Sequence, residues 1–202
     1  AGTQEVFGRR RLGMLTVRAQ VGFATAWLAP RLPDFLARHP KLQLRIVSSV
    51  WAEEYEAGTF DLDIRYGFGA WPGFRADRVT RECLVPLCRP EVAARLRGPG
   101  DLADERLLHV LGYRDGWADW LAGAGAGGVD PARGLWFDTT PMALEVAAAG
   151  GGVALGRSSM TARDLALGRL VKPFALELPV EEGFFLVAEE TGAQHADTDL
   201  FR

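Results

Sequence analysis

Cysteine is scarce: Cys83 and Cys88 are the only two among 202 residues. Their spacing matches no metal or redox motif. They read as reduced thiols of the cytoplasm, where disulfides are rare; a strained or intermolecular disulfide is the alternative. His39, His109 and His195 are far apart in sequence and give no metal pair. No uninterrupted run reaches the ~18 apolar residues of a spanning helix, so no membrane span is expected. The opening AGTQEVFGRRRLG lacks the apolar region of an export signal. It also lacks an initiating Met and reads as the cut end of a longer protein. The net charge of −3 argues against this chain holding nucleic acid by itself. The basic run 9–11 reads as a solvated linker end.

Apolar residues are plentiful, at 48%, so a sizeable core is available and disorder is disfavoured. The length suits one large or two small domains. The stretch MLTVRAQVGFATAWLAPRLPDFLARHPKLQLRIVSS, residues 14–49, organises the rest. Leu15 and Val17 alternate with Thr16 and Arg18, as in a strand. A loop is expected over 19–25, with Thr25 as a capping hydroxyl. Leu28, Leu32, Phe35, Leu36 and His39 then form one helical stripe. Pro30 and Pro33 imply that the helix either starts late, around Trp27, or is kinked, and a kinked or partly 3₁₀ start is expected. Leu42, Leu44 and Ile46 give a second strand, and the whole reads as a βαβ unit.

A third strand is DLDIRYG, residues 61–67. In open α/β sheets ligands bind beyond the carboxyl ends of strands. Residues 20–25, 49–51 and 66–71 sit at such ends. Trp51 and Trp71 are each either pocket wall or packing. Arg65 is expected to pair with Asp63 or Glu53. Residues 74–81, with three arginines, suit an edge strand, and 84–88 suit another strand.

From Pro90 a separate αβ block follows. It has short helices at 91–97 and 102–105, a strand at 107–111 and a helix over 115–122. The glycine-rich 123–128 matches no phosphate loop, since no lysine accompanies it. Leu135–Phe137 is a strand. In Asp138-Thr139-Thr140-Pro141, Thr140 suits N-cap and Pro141 N1. Strand 153–155 is expected to close at Gly156. Two lobes joined by two crossing strands, near 84–88 and 169–174, is the simplest arrangement, with a cleft between them. Helix N-termini near Thr25 and at Thr140 would present N–H groups to a small anion, best a carboxylate.

LTVRAQVGFATAWLAPRLPDFLARHPKLQLRI, DLDIRYGFGAWPGFRADRV, LVPLCRPE and FDTTPMALEVAAAGGGVALGRSSM together resemble the effector-binding domain of LysR-type transcriptional regulators. The best match is the branch of the glycine-cleavage activator and the β-lactamase-inducing regulator. The resemblance implies an α/β, periplasmic-binding-protein type II-like fold, each lobe a mixed sheet flanked by helices. Residues 1–11 would end a linker, 12–85 and 170–202 form lobe I, and 86–169 form lobe II. It also implies a missing N-terminal winged helix-turn-helix that alone binds DNA, and assembly as homodimers or tetramers. Carried over position by position, the effector site comprises Gln20, Gly22, Phe23, Ala24, Thr25, Tyr66, Gly67, Thr139, Thr140, Gly156 and Arg157, with Trp51 as a further candidate.

Two departures stand out. The branch favours a serine-rich opening where this chain has Gln20-Val21-Gly22-Phe23, and tyrosines where Phe184 and Phe185 stand. Both remove hydroxyls, so a less polar ligand or a partly filled pocket is expected. Arg157 also reads as a surface arginine, and Thr140 first as a cap. No catalytic residue, cofactor or metal is expected, and the setting is cytoplasmic. A transporter's solute-binding protein is the alternative. An enzyme using Ser158 or Ser159 with His109 and Asp138 lacks any G-x-S-x-G elbow.

Overall fold

The computed structural model describes residues 13–50, 60–190 and 197–201. In chain order its elements are β1 (Leu15–Gln20), α1 (Val21–Phe23), α2 (Leu32–Arg38), β2 (Leu44–Ser49), β3 (Leu62–Gly67), β4 (Phe74–Arg78), β5 (Cys83–Leu87), α3 (Pro90–Ala93), β6 (Leu107–Val110), α4 (Trp117–Gly123), β7 (Leu135–Phe137), α5 (Thr140–Ala148), β8 (Val153–Arg157), α6 (Ala162–Ala166), β9 (Leu178–Pro179) and β10 (Gly183–Glu189). The chain divides into two units, residues 1–81 with 182–202, and residues 82–181.

The first unit is built on a sheet in the order β2-β1-β3-β10-β4. β1 runs parallel to both β2 and β3, which is the βαβ register expected of 14–49. β10 returns antiparallel between β3 and β4. β4 is the edge strand that its arginines suggest. Central β1 is buried along Leu15, Thr16, Val17, Arg18 and Ala19, as befits a strand covered on both faces.

Between β1 and β2 the chain is helical from Val21 to Arg38, but not as one α-helix. A π turn spans Ala24–Leu28 and a 3₁₀ turn spans Ala29–Arg31. Pro30 falls in the 3₁₀ turn, and Pro33 in the first turn of α2, where its missing N–H leaves no bond unmade. The kinked, part-3₁₀ course is as expected; its starting point is not. Residues 21–25 are helical rather than loop, so Thr25 is an exposed helical residue and not a cap. Gln20 takes the N-cap position, without a side-chain capping bond.

The second unit has a sheet in the order β7-β6-β8-β5-β9. β6 is parallel to β7 and β8, while β5 is antiparallel to β8 and β9. Alternation along the strands sends neighbouring residues to opposite faces. Leu84, Leu107, Val153 and Leu155 join Trp117 and Trp120 in one cluster. Val85, Leu108 and Ala154 join Ala143, Leu144 and Ala147 of α5 in the other. Both faces of this sheet are thus covered.

The expected lobe boundaries, 85/86 and 169/170, fall inside the second unit. β5 pairs with β8 and β9. Cys88 bridges Val171, and the Trp120 indole N–H donates to the Leu176 carbonyl at 3.3 Å. These bonds hold 82–88 and 171–180 to the second sheet, so the chain changes units at 81/82 and 181/182 instead.

Candidate effector-binding site

Each unit has three parallel strands whose carboxyl ends lie at one edge of its sheet. In the first unit these are β2, β1 and β3, ending at Ser49, Gln20 and Gly67. In the second they are β7, β6 and β8, ending at Phe137, Val110 and Arg157. Ligand contacts in open α/β sheets collect at such ends.

On the first unit, Gln20, Gly22 and Tyr66 are half-buried. Phe23 is fully buried, its ring 4.1 Å from that of Phe184 and 4.8 Å from that of Trp27. It is a packing residue, as is buried Ala24. Tyr66 meets Phe184 edge-on at 5.0 Å. Gly67 has φ +155°, and a Cβ there would approach the Trp71 ring to 3.1 Å. Trp71 also meets Phe185 edge-on at 5.7 Å, which places it in packing. Trp51 lies outside the described residues. Arg65 pairs with Asp63 at 2.5 Å, the structural pairing expected of it.

On the second unit the arrangement is tighter. Thr139, not Thr140, is the N-cap of α5, and it makes no side-chain capping bond. Thr140 is buried inside the helix, and its hydroxyl lies 3.3 Å from the Tyr113 hydroxyl. Arg157 is no surface residue: it is 2% exposed. Its guanidinium sits 4.0 Å from the Tyr113 ring centroid and donates to the Asp115 carbonyl at 2.8 Å. β8 therefore runs two residues past the expected end, through Gly156. A Cβ at Gly156 would lie 2.9 Å from Leu87 and 3.0 Å from Thr161, so only glycine lets the strand pass there unshifted.

Tyr113 joins Thr140 to Arg157, and it was not anticipated. It follows the tip of β6, so applying the strand-end rule to the second sheet points to it. Tyr113 and Arg157 also line a cavity of about 290 Å³ with His109, Trp136 and Asp115.

His109 stacks on Trp136 at 4.0 Å, and its Nε2 lies 3.1 Å from the Arg133 carbonyl. Ser158 instead donates to Glu82 at 3.1 Å and accepts from the Cys83 amide. The serine and histidine of the imagined hydrolytic set thus have separate partners. Among the described residues no cluster suits a metal ion, and no helix is long and apolar enough to cross a membrane.

Burial holds the His109 pKa below its ordinary value, against the pull of the Arg133 carbonyl toward the charged form. Unfolded, the residue titrates at about 6.5. The unfolded chain therefore binds more protons just below that pH, and stability falls as pH drops through that window. Urea unfolding at neutral pH and about one unit below 6.5 checks this. His109→Phe is expected to lose less stability between the two conditions than the parent. An equal loss in both proteins would clear His109 of the effect.

The LysR substrate binding domain family matches residues 8–202. This chain belongs to that family. Among its LysR relatives, the transcriptional activator AmpR of Pseudomonas aeruginosa is 42% identical, the alignment covering 88% of this chain and 60% of that protein. AmpR of Citrobacter koseri is 36% identical over 94% of this chain and 65% of its own length. The glycine cleavage system transcriptional activator of Escherichia coli is 34% identical over 99% and 66%. The chain thus spans about two thirds of the length of these relatives. The solved effector domain of Pseudomonas aeruginosa AmpR superposes with a TM-score of 0.83 at 38% identity, covering 94% of this chain and 92% of that one. The Citrobacter freundii AmpR effector binding domain gives 0.84 at 28%, covering 93% and 94%. The fold is therefore the periplasmic-binding-protein-like α/β fold of LysR effector domains.

Proposed function

We propose that this LysR domain senses a small, carboxylate-bearing effector in the cytoplasm. The bound state biases DNA binding by a winged helix-turn-helix elsewhere in the whole regulator. The regulator works as a homodimer or tetramer. The contacts argued from the second unit are Tyr113, Thr139, Thr140 and Arg157, with Gly156 shaping the strand; Gln20, Gly22, Thr25, Tyr66 and Gly67 are the candidates at the strand ends of the first unit, taken by itself. Phe23 and Ala24 support these from the core. The transporter reading is not favoured, because the relatives are named as transcriptional activators.

The observation that carries the reading is the cluster at the carboxyl ends of β6, β7 and β8. There two hydroxyls, on Thr140 and Tyr113, stand together beside a buried guanidinium. A carboxylate can accept from the guanidinium and from whichever hydroxyl is not donating to the other, and hydrogen bonds to a charged partner contribute about 1.5–3 kcal/mol each.

Thermal-shift screening with amino acids, short peptides and aromatic acids tests it. At least one carboxylate is expected to raise Tm with increasing concentration and to be recovered unchanged, as binding to the native state alone requires. Thr140→Val is expected to weaken that ligand about tenfold or more. Consumption of the ligand, or undiminished binding to Thr140→Val, would sink the reading.

A further inference from the structure

We infer that the first unit carries a second ligand site, for an amphipathic monoanion: a carboxylate on a short apolar body. A cavity of about 360 Å³ lies between the helical run 21–38 and the sheet, within the ~300–1,000 Å³ of small-molecule pockets. None of the proposed effector contacts lines it.

Its floor is dry. Leu28, Ile64 and Leu186 are nearly inaccessible, and Phe35 meets Phe201 edge-on at 4.9 Å along one wall. Its rim is cationic. Arg31 and Arg38 project from the helical run onto it. The Arg31 guanidinium lies 4.3 Å from the Trp27 ring centroid and donates to the Trp27 carbonyl at 2.8 Å. Arg38 donates to the Asp34 carbonyl at 3.3 Å. Neutral carbonyls and a ring orient both guanidiniums without cancelling their charge. Among the described residues no Asp or Glu lines the cavity.

The helix C-terminus at His39 adds only about half a negative charge, which two guanidiniums outweigh. An anion is therefore favoured and a cation repelled. The apolar floor further selects a ligand with a hydrocarbon body over a small hydrophilic anion. Guanidinium forks match carboxylates in both geometry and charge.

Isothermal titration of the chain with 4-phenylbutyrate, and with its uncharged amide, tests the site. Saturable binding to the acid is expected, with the amide about tenfold weaker or worse. The R31Q/R38Q double variant changes only exposed side chains, so it is expected to keep its circular dichroism while losing about tenfold in affinity. Thr140→Val is expected to bind the probe like the parent, which separates this site from the effector site proposed above. Absence of saturable binding overturns the inference. So does equal affinity in the double variant, or a loss in Thr140→Val. Sedimentation velocity supplies the remaining outcome. If the parent self-associates, the double variant is monomeric and neither binds the probe, the groove is an interface between copies and the inference fails.

Discussion

Asp63→Ala is expected to destabilise the first unit by about 3–5 kcal/mol, because it breaks a buried ion pair by removing one partner. Asp63 is 2% exposed, in the middle of the sheet on β3. One carboxylate oxygen accepts from Arg18 Nε at 2.8 Å, and the other contacts both Arg18 and Arg65. Arg18 is 4% exposed, with its guanidinium also 4.4 Å from the Phe60 ring centroid. Arg65 is more accessible, at 14%, and can turn to water when Asp63 is lost. Arg18 is buried within the sheet, so the main cost is the loss of its hydrogen-bonded ion pair with Asp63.

Chemical denaturation checks this, and a double variant identifies the cause. Asp63→Leu with Arg18→Met removes charge and countercharge together. It is expected to recover much of the loss, since apolar groups of similar volume often replace a buried pair with little penalty. A single variant as stable as the parent, or a double variant as unstable as the single, would show that the pair is not what holds this strand in place.

The same pair bears on how the sequence could be read. DLDIRYG alternates strongly enough to announce β3, and the Arg65–Asp63 contact follows from side chains two apart on one face of a strand. Arg18 as the second partner depends on β1 lying beside β3, a neighbour 45 residues away. Local pattern therefore identified the strand and half of its ion pair. Residues 19–25 went the other way: Gly22 and Thr25 are loop-forming by preference. Yet Phe23 has a place to pack between Phe184 and Trp27, and that burial draws the segment into helical geometry.

In the second unit the helix at Thr139–Thr140–Pro141 was legible, but the cap was assigned one residue late. Either threonine suits an N-cap, and only the backbone decides between them. Gly156 looked like a stop because glycine commonly ends strands. Here it is the close approach of Leu87 and Thr161 that demands it, and the strand runs on to bury Arg157. The sequence pattern announces β5 as a strand crossing between lobes, but not its pairing, because its partners on β8 and β9 lie some seventy or more residues on, out of reach of local periodicity.

Trp120→Ala is expected to cost the second unit about 3–5 kcal/mol, the range for removing a large buried aromatic. Trp120 is fully buried, packed edge-on against Trp117 at 5.9 Å and with its ring tilted by 32° against Phe174 at 5.5 Å. Its indole N–H also holds the Leu176 carbonyl, which would be left without that donor. The effect should extend to the candidate site. α4 is the helix that follows the Asp115–Gly116 turn, and the Asp115 carbonyl accepts from Arg157. Loosening α4 therefore frees the turn that orients the buried guanidinium.

Hydrogen exchange provides the local readout. Amides of β6, β8 and α4 are expected to exchange faster in Trp120→Ala, while those of β1 and β3 keep their parental rates. Whichever carboxylate stabilises the parent in the thermal screen should bind the variant more weakly at a temperature where both remain folded. If the variant were destabilised as expected yet bound that carboxylate with undiminished affinity, the turn before α4 would be irrelevant to the effector.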